Sequence, residues 1–277
     1  MEYKLLDKNK SKELKNSAKE MRTVMIEMGY RCGSSAHFGG GLSMVEVLVA
    51  LYGHVLNYKN NDPRWEDRDR FILSKGHGVL GFYAALYTFG LIGKKEIMSF
   101  QQNESEFIAH PIMDLDFGIE SSNGSLGHGL SLGVGIAMAA RLKKKAFKTF
   151  VMLGDGECNE GSVWEAVMCA SHHKLNNLIA IVDRNSMQND GESIDIMSFS
   201  SMESVWRGFG WNVASIDGHD LDSLVENLVP EKTTDKPTVI IANTIKGKGI
   251  SFMENVASWH HGTLTQKTYD QAIEELG

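Results

Sequence analysis

Apolar positions between Ser11 and Met28 recur at helical spacing, at Leu14, Ala18, Met21, Met25 and Met28. That pattern predicts an amphipathic helix whose methionines pack into the core. The apolar run from Ser43 to Leu56 predicts a buried helix, with Ser43 and Glu46 spaced as a capping box. Five short runs rich in β-branched and apolar residues predict buried strands: 70–73, 149–153, 178–182, 211–216 and 238–244. Between them, 79–89, 130–140, 162–173 and 221–228 have helical composition, the last with Asp220 as its N-cap. Strands alternating with helices predict an α/β fold.

The chain has 277 residues, 42% of them apolar and 23% charged, the balance of a globular enzyme. Only 4 prolines occur and no composition break divides the chain, so a single domain over residues 1–277 is expected. A net charge of −7 argues against general nucleic-acid binding. The cysteines, Cys32, Cys158 and Cys169, lack zinc spacing and fit a reducing, cytoplasmic setting. No apolar run approaches the roughly eighteen residues of a membrane span, and no signal-peptide core is visible.

The candidate chemistry stands at predicted strand ends. Gly154-Asp155-Gly156 follows one strand and Asp183-Arg184-Asn185 ends the next. Ligands bind outside the carboxyl ends of strands in open α/β sheets. A carboxylate and an amide oxygen there suit a hard cation such as Mg²⁺, which completes its shell with phosphate oxygens and water. Taken alone, the Gly-Asp-Gly tripeptide is ordinary turn chemistry. Gly124-Ser125-Leu126-Gly127-His128-Gly129 opens a small-residue helix, a setting in which free backbone N–H groups bind anions or in which glycines merely pack closely. His77 ends the segment Arg68-Asp69-Arg70-Phe71-Ile72-Leu73-Ser74-Lys75-Gly76-His77, while His37, His110 and the pair His260-His261 lie in loops.

Taken together, Gly-Asp-Gly followed by Asn185, the Arg-Asp-Arg-Phe…Gly-His segment, and the histidines in this order resemble the thiamine diphosphate-binding domain of transketolases. The resemblance covers nearly the whole chain and implies a parallel sheet flanked by helices. It also implies a magnesium ion held by Asp155, Asn185 and the Met187 carbonyl. By the same resemblance, His77 and His261 meet the cofactor diphosphate, and Gly124, Leu126, Gly127, Gly154, Gly156 and Glu165 surround the cofactor. His37, His77, His110 and His261 move protons or polarise sugar oxygens, and Glu160 links the sites of two subunits. The implied reaction transfers a two-carbon ketol unit from a ketose to an aldose, the thiazolium ring serving as electron sink. The chain departs from the family pattern at Ala109, His128 and Asn189.

Complete transketolases are more than twice as long and carry a pyrimidine-binding domain that activates the cofactor. The expectation is therefore the N-terminal subunit of a split transketolase, inactive alone and paired with a C-terminal subunit, two copies of each. The α subunit of a 2-oxoacid dehydrogenase, which shares Gly-Asp-Gly…Asn, is an alternative; so is a silent scaffold subunit.

Overall fold

The computed structural model describes residues 6–229 and 235–277. Five strands form one sheet: β1 (Arg70–Leu73), β2 (Thr149–Gly154), β3 (Leu178–Arg184), β4 (Asn212–Asp217) and β5 (Thr238–Asn243). Their order is β1-β2-β3-β5-β4 and every neighbouring pair is parallel. The helices are α1 (Lys8–Arg31), α2 (Gly39–Leu42), α3 (Val45–Ala50), α4 (Val79–Thr88), α5 (Lys94–Met98) and α6 (Gly129–Leu142). They continue with α7 (Gly161–His172), α8 (Ser193–Ile196), α9 (Met202–Gly208), α10 (Leu221–Leu228) and α11 (Gln266–Leu276).

The strand period of two divides the core into two layers. Phe71, Leu73, Phe150, Met152, Ile179, Ile181 and Ile240 face the layer built by α1, α3, α4 and α10. Ile72, Val151, Leu153, Ala180, Val182, Val239 and Ile241 face α6, α7 and α9. A parallel sheet covered on both faces needs apolar residues on both, which is why β2 and β3 read as unbroken apolar runs. The expected strands and helices are all present, with ends shifted by one to three residues.

One local expectation fails. Ser43 and Glu46 do not form a capping box, because the helical segment opens earlier, at Gly39, and Ser43 ends its first turn. The Ser43 hydroxyl instead donates to Asp183 Oδ2 at 2.6 Å, and Glu46 pairs with Arg22 at 2.7 Å. The segment then runs through α3 into a π-helical turn, Leu51–Val55. Among the described residues no helix is long and apolar enough to cross a membrane.

Candidate active site

The carboxyl ends of β1, β2, β3 and β5 bring the predicted residues together. Asp155, just past β2, is buried; its Oδ1 accepts from Gly156 N at 2.9 Å and its Oδ2 from Ser186 N at 2.9 Å and Ser193 Oγ at 3.2 Å. Burial, then the neighbouring Asp183 charge, raises its pKa. Asn185, just past β3, donates through Nδ2 to Asp183 Oδ2 at 3.2 Å, and its Oδ1 accepts from Met187 N at 3.2 Å. The amide is thereby oriented with its oxygen towards the Met187 loop. Between them Ser186 takes a left-handed φ of 61°, which turns the chain sharply at this point. A cavity of about 370 Å³ opens beside Asp155, lined also by Arg184, Ser186, Ser193, Met197 and Phe199.

Asp183 is fully buried and is the hub of the floor. Lys75, Ser43 and Thr244 all donate to its carboxylate, and Lys75 Nζ also donates to Gly40 O at 2.8 Å. Burial pushes the Asp183 pKa up; the Lys75 charge and the hydrogen bonds outweigh burial and leave it below the usual range. A second buried lysine, Lys246, follows β5. Its ammonium donates to Met187 O at 3.1 Å and Gln188 O at 3.0 Å, and lies 2.9 Å from His260 Nδ1. Burial, then Lys75, lowers its pKa to about 8.

Five histidines close over this floor. The His37 ring centroid lies 4.3 Å from that of His261, 5.5 Å from His77, 5.5 Å from His260 and 6.0 Å from His110. His77 stacks on His260 at 5.2 Å. Burial, then repulsion from His261, His260 and His110, lowers the His37 pKa to about 3. Burial and the nearby lysines lower His260 to about 4. His77 falls well below its usual value for the same reasons, and burial lowers His110. The resemblance implies His261 at the diphosphate; in the structure His260 meets both His77 and Lys246, and His261 is exposed and meets His37.

The glycine-rich loop behaves differently from its sequence reading at one residue. The Gly127 N–H is not free for an anion, because it donates to Glu157 Oε1 at 2.9 Å. Gly127 is required for another reason: φ is +81°, and a Cβ would stand 2.5 Å from Ser162 Oγ. The amides of Gly124 and Leu126 have no acceptor among the described residues, and His110 packs beside Gly124. Glu157 is buried and also accepts from Ser74 Oγ at 2.5 Å and Gly154 N at 3.0 Å. One carboxylate thus ties together the loops after β1, before α6 and after β2. Glu160 and Glu165, at and within the start of α7, are both exposed, as are His128 and Asn189; the Asn189 amide donates to Asp190 at 2.9 Å.

Sequence reasoning missed Lys75, Glu157, Asp183, Lys246 and His260 as members of the site. Lys75 and Lys246 carried a signal, a lysine beside glycine just after a strand. The other three are identified only by what folds against them.

The donor set fits a magnesium ion. Among the described residues no three His, Cys, Asp or Glu side chains converge on one metal position. Asp155, the Asn185 amide oxygen and the Met187 carbonyl are the mixed oxygen donors that Mg²⁺ accepts when phosphates complete its shell. The Lys246 ammonium on the Met187 and Gln188 carbonyls shows that these oxygens face a position suited to positive charge.

A parallel sheet covered by helices on both faces, with buried acid, amide and lysine side chains and a histidine cluster at its strand ends, defines an α/β protein with a polar site outside the carboxyl edge of the sheet. Residues 14–277 match the family described as transketolase, thiamine diphosphate binding domain, and the chain belongs to the transketolase family. It is 39% identical over 264 residues to one of the subunits of the apulose-4-phosphate transketolase of Phocaeicola vulgatus, covering 95% of this chain and 93% of that one. It is 38% identical to the 6-deoxy-6-sulfo-D-fructose transketolase subunit SqwG of a Clostridium species, covering 95% and 96%. The crystal structure of Campylobacter jejuni transketolase superposes with a TM-score of 0.86 at 28% identity, covering 98% of this chain but 43% of that one.

Proposed function

We propose that this chain is the cofactor-diphosphate subunit of a two-chain transketolase, one domain that works in the cytoplasm with a second, pyrimidine-binding subunit, two copies of each. The observation that carries the reading is that Asp155, Asn185 and Met187 share the ends of β2 and β3, with Lys246 joining the Met187 carbonyl to His260 of the histidine cluster. The coverage figures support the division into two chains: relatives named as subunits match over nearly their whole length, a single-chain transketolase over less than half. The substrate is a ketose donor with an aldose acceptor; the two subunit relatives are named for a phosphorylated and a sulfonated sugar.

Bound thiamine diphosphate would supply the electron sink for cleaving a carbon–carbon bond beside a ketose carbonyl. The chain's own residues prepare that site. Asp155, Asn185 and the Met187 carbonyl would hold Mg²⁺ against the diphosphate. His77, His260 and Lys246 would meet the phosphate oxygens, a duty that fits His260 better than His261. The N–H groups of Gly124 and Leu126, which have no acceptor among the described residues, would be available to the same phosphate oxygens. His37, His110 and His261 would meet the sugar oxygens. Burial at both rings, joined at His37 by repulsion from the neighbouring histidines, lowers the pKa values of His37 and His110 and keeps these two neutral at pH 7, able to accept a proton. An anion bound among them would favour the protonated form and raise those pKa values towards neutrality, where general acid–base catalysis is most effective.

Titration calorimetry of the two-subunit enzyme with thiamine diphosphate and Mg²⁺ tests the assignment. Asp155→Ala and Asn185→Ala are expected to abolish Mg²⁺-dependent cofactor binding while the fold persists, since the diphosphate charge is then left uncompensated in a partly desolvated site. Unchanged affinity in either variant would refute the metal site.

A further inference from the structure

Lys246 owes its position to residues outside the site. The loop after β5 is gripped at three points around it. His219 Nε2 accepts from Ile245 N at 2.9 Å, Gly39 O from Gly247 N at 3.0 Å, and Lys248 O from Arg22 Nε at 2.9 Å. Because Nε2 accepts, the neutral ring carries its proton on Nδ1, and Nδ1 donates to Glu46 Oε2 at 2.8 Å. The same carboxylate pairs with Arg22 at 2.7 Å. Glu46, on α3, therefore joins a guanidinium from α1 to an imidazole from the β4–α10 connection, and each of these partners holds the β5 loop. The fit is close: Gly249 has φ +94°, and a Cβ there would lie 2.7 Å from Arg22 Cδ and Nε.

Arg22 and Glu46 are both more than nine-tenths buried. Ions so placed are costly unless their hydrogen bonds are complete, and here each charge has a partner. The cluster opens onto its own cavity of about 300 Å³, lined also by Lys15, Lys19 and Lys248, separate from the one beside Asp155. Nothing in the proposed chemistry uses Arg22, Glu46 or His219 directly, yet Arg22 and His219 bond to the backbone on either side of Lys246 and Glu46 joins the two.

We infer that Arg22, Glu46 and His219 form a clasp of positioning residues that sets the Lys246 ammonium against the Met187 and Gln188 carbonyls and His260. The inference rests on the proposed function only for what Lys246 meets when cofactor is bound. The hold on the loop can be measured without cofactor.

The test is acylation of the full chain by an amine-directed reagent at fixed pH, with each lysine followed by peptide mass spectrometry. Lys75 is the internal reference. It is as buried as Lys246, but Asp183 and Gly40 hold it rather than the clasp. In His219→Leu, Lys246 should react about tenfold faster, the effect of losing one well-placed hydrogen bond, while Lys75 stays as protected as in the wild type. Glu46→Gln keeps the side-chain shape, removes the charge and should act in the same direction; it decides the matter if His219→Leu does not fold. Protection of Lys246 unchanged in the variants would overturn the inference. So would Lys75 and Lys246 becoming reactive together, which marks general loosening. Thiamine diphosphate is absent throughout, so failure of the cofactor assignment produces neither result.

Discussion

His110 sits at the edge of the histidine cluster, beside Gly124 and with its ring centroid 6.0 Å from that of His37. His110→Ala should therefore lower kcat/KM by roughly 10- to 100-fold, the equivalent of one hydrogen bond to a charged or developing charge. Cofactor affinity should stay nearly unchanged. Steady-state kinetics with a calorimetric control separates the two, and normal kinetics would place His110 outside the site. Single residues were unevenly legible in the sequence. Asp155, Asn185, His37, His77 and His110 belong to short motifs; the first two stand just past the predicted strands and the three rings lie together. Glu157 and Asp183 were not legible, because their roles come from donors on four other segments. Between His260 and His261 the sequence offers no distinction; in the fold His260 meets His77 and Lys246, and His261 meets His37.

Loops that end different strands are held together by Glu157. It accepts hydrogen bonds from Ser74, Gly127 and Gly154, so the segments after β1, before α6 and after β2 share one acceptor. Burial raises its pKa and the three donors act against that rise. Glu157→Ala leaves three donors without their acceptor and should reduce stability by at least about 3 kcal/mol, at roughly 1–3 kcal/mol for each buried group left unsatisfied. Denaturant unfolding measures this; a loss below about 1 kcal/mol would mean that water replaces the carboxylate without difficulty. At this scale the regular elements were legible, since apolar runs and helical spacing are local properties. The Ser43–Glu46 capping box was misread for the opposite reason. Both side chains are committed to partners distant in sequence, Asp183 and the Arg22–His219 pair, and the helix simply begins four residues earlier.

Across the whole molecule, the cost of keeping the histidines uncharged should appear as a pH dependence of stability. His37 and His260 have folded pKa values of about 3 and about 4, below the unfolded value near 6.5. Between those limits the unfolded chain binds protons that the folded chain does not, so their contribution to stability is lost as pH falls from about 6.5 towards 4. Removing one such group should flatten the slope. In cofactor-free protein, the fall of Tm between pH 6.5 and 4 is expected to be shallower in His37→Gln than in the wild type; an equal or steeper fall would mean that His37 is protonated in the folded state. The central claim is that the site is half of an active centre. On the proposed reading its floor and histidines come from this chain, and the group that activates the aminopyrimidine would come from a second subunit. The direct measurement is ketol transfer from a ketose to an aldose, with Mg²⁺ and thiamine diphosphate, by this chain alone and then after addition of the pyrimidine-binding subunit. No turnover alone and robust turnover with the second subunit is the predicted result; robust turnover by the lone chain would contradict the account.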